Sequence, residues 1–134
     1  QCFLDIVHTV QPDLAIIDGS IGCEGNGPHV APFWGKTVDI RDRLGEWFLL
    51  AGTDAAAVDA TAARIIGLDP EAVPCLQQAY EQGIGQIYQE RITLRGVRLD
   101  DLKMDWLLAD HTAGFDQAFL PTILTGLAKL VGIW

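Results

Sequence analysis

Positive charge is scarce in this 134-residue chain: nine Lys and Arg stand against eighteen Asp and Glu, a formal net charge of −9. Duplex binding depends on Lys and Arg neutralising phosphates. Here Arg41, Arg43, Arg91, Arg95 and Arg98 form no run and no aromatic ladder interleaves them, so nucleic acid is not an expected partner. Cysteine is equally sparse. Cys2, Cys23 and Cys75 are odd in number and lack CxxC spacing, which fits neither a disulfide framework nor a zinc or iron–sulfur ligand set. A reducing cytoplasm is the expected compartment. No apolar run reaches the roughly 18–20 residues that span a bilayer, and no basic stretch precedes an apolar signal-like segment. No membrane partner is therefore expected. Internal repeats and low-complexity tracts are absent too.

What is present is apolar bulk. The chain is 49% hydrophobic, with four Trp and five Phe, enough to bury a core and to exclude a disordered polymer. Its length suits one domain or a domain fragment. Phe3, Ile6, Val7 and Val10 have helical spacing before Pro12, which predicts a short amphipathic helix packed on the sheet that follows. Residues 13–18 and 46–51 are apolar runs closed by Asp-Gly and Ala-Gly, as expected of strands buried on both faces. Between them, 19–35 is rich in Gly and Pro and reads as a long irregular loop. A helix over 55–66 should follow Thr53-Asp54, stopping at Gly67. A second should open at Asp69-Pro70-Glu71 and end near Gly83 or Gly85, with Pro74 distorting or separating its first turn. Residues 91–95 alternate polar and apolar, predicting an edge strand, and Leu124, Leu127, Ala128 and Val131 predict a terminal helix. The expected fold is therefore α/β: a small, mainly parallel sheet covered by helices, with an extra C-terminal helical segment.

Chemistry concentrates at the carboxyl end of the first expected strand, where Asp18 leads into Glu24, Gly25, Asn26, Gly27, Pro28 and His29. Ligands of open α/β sheets bind at such strand ends, and glycines let several N–H groups turn towards one anion. The spacing is neither a Walker loop nor GxGxxG. The structural alternative is a tight connector in which Glu24 and Asn26 cap backbone groups. On a helical wheel over 55–66, Asp54, Thr61 and Arg64 share one side, and Asp59 falls opposite, among Ala55, Ala56, Ala62, Ala63 and Ile66. A carboxylate among alanines needs a cation, N–H donors or a metal. Either Asp59 is a structural group satisfied by loop amides, Lys36 or an Arg, or Asp18, Glu24, Asp54 and Asp59 form an acidic rim suited to Mg²⁺ or Ca²⁺. His29 is a ligand or general-base candidate that reads more simply as an exposed loop residue, His8 reads as a surface or packing residue, and His111 lies in a turn-like segment. Ser20 lacks a GxSxG elbow, and Cys23 is at most a reactive-thiol candidate.

Three segments, PDLAIIDG at 12–19 running into EGNGP at 24–28, AGTDAAAVDA at 51–60, and IGLDPEAVP at 66–74, together resemble the bacterial and archaeal family known as domain of unknown function 362. The resemblance covers residues 12–96. Relatives are typically longer, which implies that this chain is the carboxyl-terminal part of a larger parent. Many relatives are described as iron–sulfur proteins because ferredoxin-type cysteine clusters lie elsewhere in their chains. The resemblance thus implies no cofactor within this fragment beyond a divalent metal, with any iron–sulfur cluster in the parent chain or its partners. The family has no agreed activity. Two functions follow as expectations. One is a metal- or polar-ligand-binding part of a redox-linked protein, with ligand contacts from Asp18, Glu24, Gly25, Asn26, Gly27, Asp54 and Asp59, and metal contacts from Asp18, Glu24 and Asp59. The other is a non-catalytic interaction module whose apolar tail, 119–134, docks on the missing part of the parent or on a second copy as a homodimer.

Overall fold

The computed structural model describes residues 2–25 and 35–109. The chain forms two compact units, one from Gln1–Ser20 with Asp39–Trp106 and the other from Ile21–Val38 with Leu107–Trp134. In the first unit the order is helix α1 (Cys2–Val10), strand β1 (Ala15–Gly19), and, after the excursion into the second unit, helix α2 (Arg41–Leu44), strand β4 (Phe48–Gly52), helix α3 (Ala55–Ile65), helix α4 (Pro74–Glu81) and helix α5 (Leu99–Leu102). Single 3₁₀ turns lie at Pro70–Ala72 and Gln89–Arg91. The second unit contributes strands β2 (Ile21–Gly25) and β3 (Gly35–Asp39), whose last residue lies at the unit boundary.

The strands correct the expected sheet. They form two antiparallel two-stranded ribbons, β1 with β4 and β2 with β3, and no mainly parallel sheet. In the first ribbon Ala15 faces Gly52, Ile17 faces Leu50 and Gly19 faces Phe48. Apolar runs report burial and carry no strand direction, so the motif strand–helix was open to either pairing. Residues 91–95 form no strand. Their alternation is used instead to pack Ile92 against the helical core, while Leu94 stays 38% exposed. The 19–35 stretch is not one irregular loop either, since β2 occupies 21–25. Burial on both faces also fails: β1 and β4 alternate along their length, and Leu14, Ile16 and Leu49 remain 55–68% exposed on the outer side. The predicted helix after Pro121 lies outside the described residues.

Helix α3 organises the first unit. Its Ala56, Val58, Ala60, Thr61, Ala63 and Ile65 are all buried. Small residues let neighbours approach closely: a Cβ on Gly52 would lie 2.8 Å from Val58, so only glycine allows β4 to lie this near the helix. On its other side Ala60 and Ala63 meet Leu76 of α4 and Ile87, with Leu68, Val73, Tyr80, Tyr88 and Ile92 packed around them. Tyr80 and Tyr88 contact edge to face, ring centroids 4.9 Å apart. Helix α1 spans the expected residues but packs elsewhere than expected. Leu4 clusters with Ala56 of α3 and Ala79 of α4, so its apolar side meets helices. Pro74 starts α4 as its first helical residue, and the preceding turn at 70–72 is separate, held by the Asp69 carboxylate accepting from the Glu71 amide at 3.0 Å.

At the end of β3, Asp39 fixes the entry to α2. Its carboxylate accepts from the Arg41 backbone amide, from Arg41 Nη2 at 2.8 Å and from Trp47 Nε1 at 2.8 Å, while the guanidinium lies 4.0 Å over the Trp47 ring. Hydrogen bonds from Arg41 and Trp47 hold the Asp39 carboxyl well below the usual carboxylate range.

Ile87, 1% exposed, is one of the two largest fully buried side chains. Ile87→Ala should lower unfolding free energy by about 2–5 kcal/mol in urea denaturation, as a truncation in a well-packed core does.

Candidate functional site

Asp54 is the first of the expected site residues to find its partners. It is the N-cap of α3, in extended backbone conformation, and Oδ1 accepts from the Ala57 amide at 3.0 Å. Oδ2 accepts from the Gln86 amide at 2.9 Å. One carboxylate thus joins the start of α3 to the segment leaving α4. Gly85 is required beside it, because a Cβ there would overlap Asp54 Oδ1 and the Ala56 side chain. Gln86 continues the pattern, its Oε1 accepting from the amides of Ile87 and Tyr88 at 3.0 Å each.

Each of the remaining residues of the expected rim has surroundings of its own. Asp18 lies exposed on the outer side of β1, opposite Leu49, and accepts from the Ser20 amide at 2.9 Å. Glu24, in the second unit, is only 4% exposed. Its carboxylate accepts from the Leu107 amide at 3.2 Å, beside a bond from the Gly25 amide to the Leu107 carbonyl at 2.7 Å. Cys23, in β2, is half-buried, its thiol 3.8 Å from the Glu24 carbonyl. Asn26, Gly27 and His29 lie outside the described residues. Among the described residues no three His, Cys, Asp or Glu side chains gather as a metal-holding group.

Asp59 is set apart by its surroundings. It projects from α3 into a cleft of about 340 Å³ bounded by α1, α3 and α4. Leu4 and Ile6 form one wall and Ala56 the floor; Leu76 and Ala79 form the opposite wall, and Cys75 lies at the exposed rim. Asp59 is the one charged residue lining this cleft among the described residues. No hydrogen bond or ion pair to a described residue engages its carboxylate. Although the residue is exposed at the mouth, the apolar walls strip enough water from the carboxyl to raise its pKa above the ordinary aspartate value.

Other hollows are already internally satisfied. A hollow of about 660 Å³ near the end of α3 has two cations on its lining. Arg64 donates to the carbonyls of Ala60 and Ile87 and Lys103 pairs with Asp100 at 2.8 Å. A hollow of about 410 Å³ at the start of α3 includes Asp54, whose two oxygens are occupied as described.

The wheel over 55–66 placed Asp59 apart from Asp54, but the cleft walls were missed. Leu76 and Ala79 carried the signal, since their spacing of three marks one face of α4. Leu4 is not among the positions whose spacing predicts α1, and nothing in that segment distinguishes a helix partner from a strand partner.

With this geometry in view, residues 1–64 match the model of the family described as domain of unknown function (DUF362). The match includes β1, β4 and nearly all of α3, whereas the third motif, at 66–74, lies beyond it. No curated protein and no solved structure matches the chain.

Two stability outcomes separate the carboxylates. Asp54→Ala should cost about 0.5–2 kcal/mol for the lost cap, and about 1–3 kcal/mol more for the stranded Gln86 amide, measured by chemical denaturation. Asp59→Asn should act in the opposite direction. A carboxyl whose folded pKa is raised favours the folded state only where it is protonated. That advantage is present below the unfolded aspartate pKa of about 3.9 and is lost as pH rises through it to the folded value. The Asn variant should therefore melt no lower than the parent at pH 7 and show a smaller loss of stability between pH 3 and pH 7.

Proposed function

We propose that this part of the family domain is a ligand-binding module whose site is the cleft between α1, α3 and α4, with Asp59 as its polar anchor. The observation that carries the reading is the position of that carboxylate. It occupies an apolar cleft, engages no described partner, and has its pKa raised by the loss of water. A structural carboxylate lowers the energy of the fold through its partners, as Asp54 does through two amides. Asp59 instead imposes a desolvation cost, and groups that do so in concave apolar surroundings are favoured candidates for contact with a ligand. The cleft volume of about 340 Å³ falls in the range of small-molecule sites, about 300–1,000 Å³. Its walls select an apolar body, and its floor comes from α3, a helix held on both sides by the core.

The neutral fluorescent probe N-phenyl-1-naphthylamine tests this reading with the full chain. We expect saturable binding at one site per chain, with shifts of the Leu4, Ala56 and Ala79 NMR resonances. Cys75→Trp, which adds bulk at the exposed rim, should weaken the binding at least severalfold without lowering the melting temperature. Absence of saturable binding, or shifts confined to residues away from the cleft, would overturn the proposal.

A further inference from the structure

We infer that the ligand of the Asp59 cleft is an organic cation: an ammonium or guanidinium head on an apolar body. This rests on the ligand-binding reading of the cleft and adds the chemical class that the cleft selects.

An ionised carboxylate only accepts hydrogen bonds. Among the described residues nothing donates to Asp59, and no Lys, Arg or His lines the cleft. A ligand that fills the apolar part of the cleft displaces the water still serving the carboxylate at its mouth. An anionic ligand adds like-charge repulsion to that loss, and an alcohol returns one hydrogen bond but leaves the charge uncompensated. An ammonium or guanidinium returns hydrogen bonds in which both partners are ionised and adds a Coulomb attraction, which nearby apolar walls screen less than bulk water does. Inorganic cations are a poor match. Ca²⁺ takes about six to eight oxygens and Mg²⁺ about six ligands, whereas the cleft offers one carboxylate and no three potential ligand residues gather among the described residues. The remaining surface, from Leu4, Ile6, Leu76 and Ala79, supplies contact for hydrocarbon. Charge and shape therefore point to one kind of molecule, with its cationic end at the mouth and its apolar end between α1 and α4.

Displacement of N-phenyl-1-naphthylamine from the full chain at pH 7 by hexylammonium, 1-hexanol and hexanoate tests the inference, because the three share one apolar body. Hexylammonium should displace the dye at about tenfold lower concentration than 1-hexanol, because only the ammonium adds an ion–ion attraction to its hydrogen bond. Hexanoate should be the weakest. Asp59→Asn should bring hexylammonium to the level of 1-hexanol, with each displacement read against the dye affinity of the variant itself. Equal displacement by hexylammonium and 1-hexanol in the parent chain, or a preference for the ammonium that survives in Asp59→Asn, would overturn the cationic class while leaving the cleft as a site. Failure of the dye itself to bind would overturn the ligand-binding reading, and the cationic class with it.

Discussion

The arrangement of the helices depends on what the Asp54 carboxylate does with its two oxygens. One caps α3 through the Ala57 amide and the other takes the Gln86 amide, so the first turn of α3 and the segment leaving α4 share one anchor. Backbone amides at a helix start have no partners within the helix, and an acid there is favoured by the helix dipole. Satisfying both demands with one side chain brings residues 85 and 86 up to α3, and the absence of a Cβ at Gly85 makes the approach possible. Ile87 follows directly and enters the core formed by Ala60, Ala63 and Leu76. The position of α4 against α3, and with it the wall formed by Leu76 and Ala79, follows from this contact.

Asp54 and Asp59 are five residues apart on one segment and behave oppositely. The first lies at a helix end, where unpaired donors are abundant. The second lies in the body of α3, where backbone donors are consumed by the helix itself, so only an outside group can serve its carboxylate. Helix α1 and helix α4 line the cleft beside it with carbon. The same physical rule, that a carboxylate must be compensated as it loses water, therefore makes Asp54 part of the architecture and gives Asp59 a reason to take a ligand.

Local chemistry was legible in the sequence where the cause was local. Asp54 as a cap, the stop before Gly67, the Asp69-Pro70 turn and the span of α1 all depend on neighbours within a few residues. The pairing of strands was not legible. AIIDG and FLLAG are apolar on both faces and equally suited to parallel or antiparallel neighbours, and their exposed Ile16 and Leu49 show that apolar residues on both sides of a strand need not mean two covered faces. Residues 91–95 alternate like a strand because Ile92 faces the core and its neighbours face water, a pattern that an extended segment without a ladder satisfies equally well. The directions of the first unit's aspartates were not legible for a related reason. Sequence order puts Asp18 and Asp54 near strand and helix ends and Asp59 within α3, but their directions are set by packing: Asp18 lies on the outer side of the ribbon and Asp59 lines the helical cleft.

The central claim is that Asp59 is a desolvated carboxylate awaiting a cationic partner, and the most direct measurement is the pH titration of its side-chain carboxyl carbon by NMR, with and without saturating hexylammonium. The account predicts a pKa above the ordinary aspartate value in the free protein and a fall when the ammonium is bound. An ordinary value in the free protein, or one unmoved by the ammonium, would contradict it.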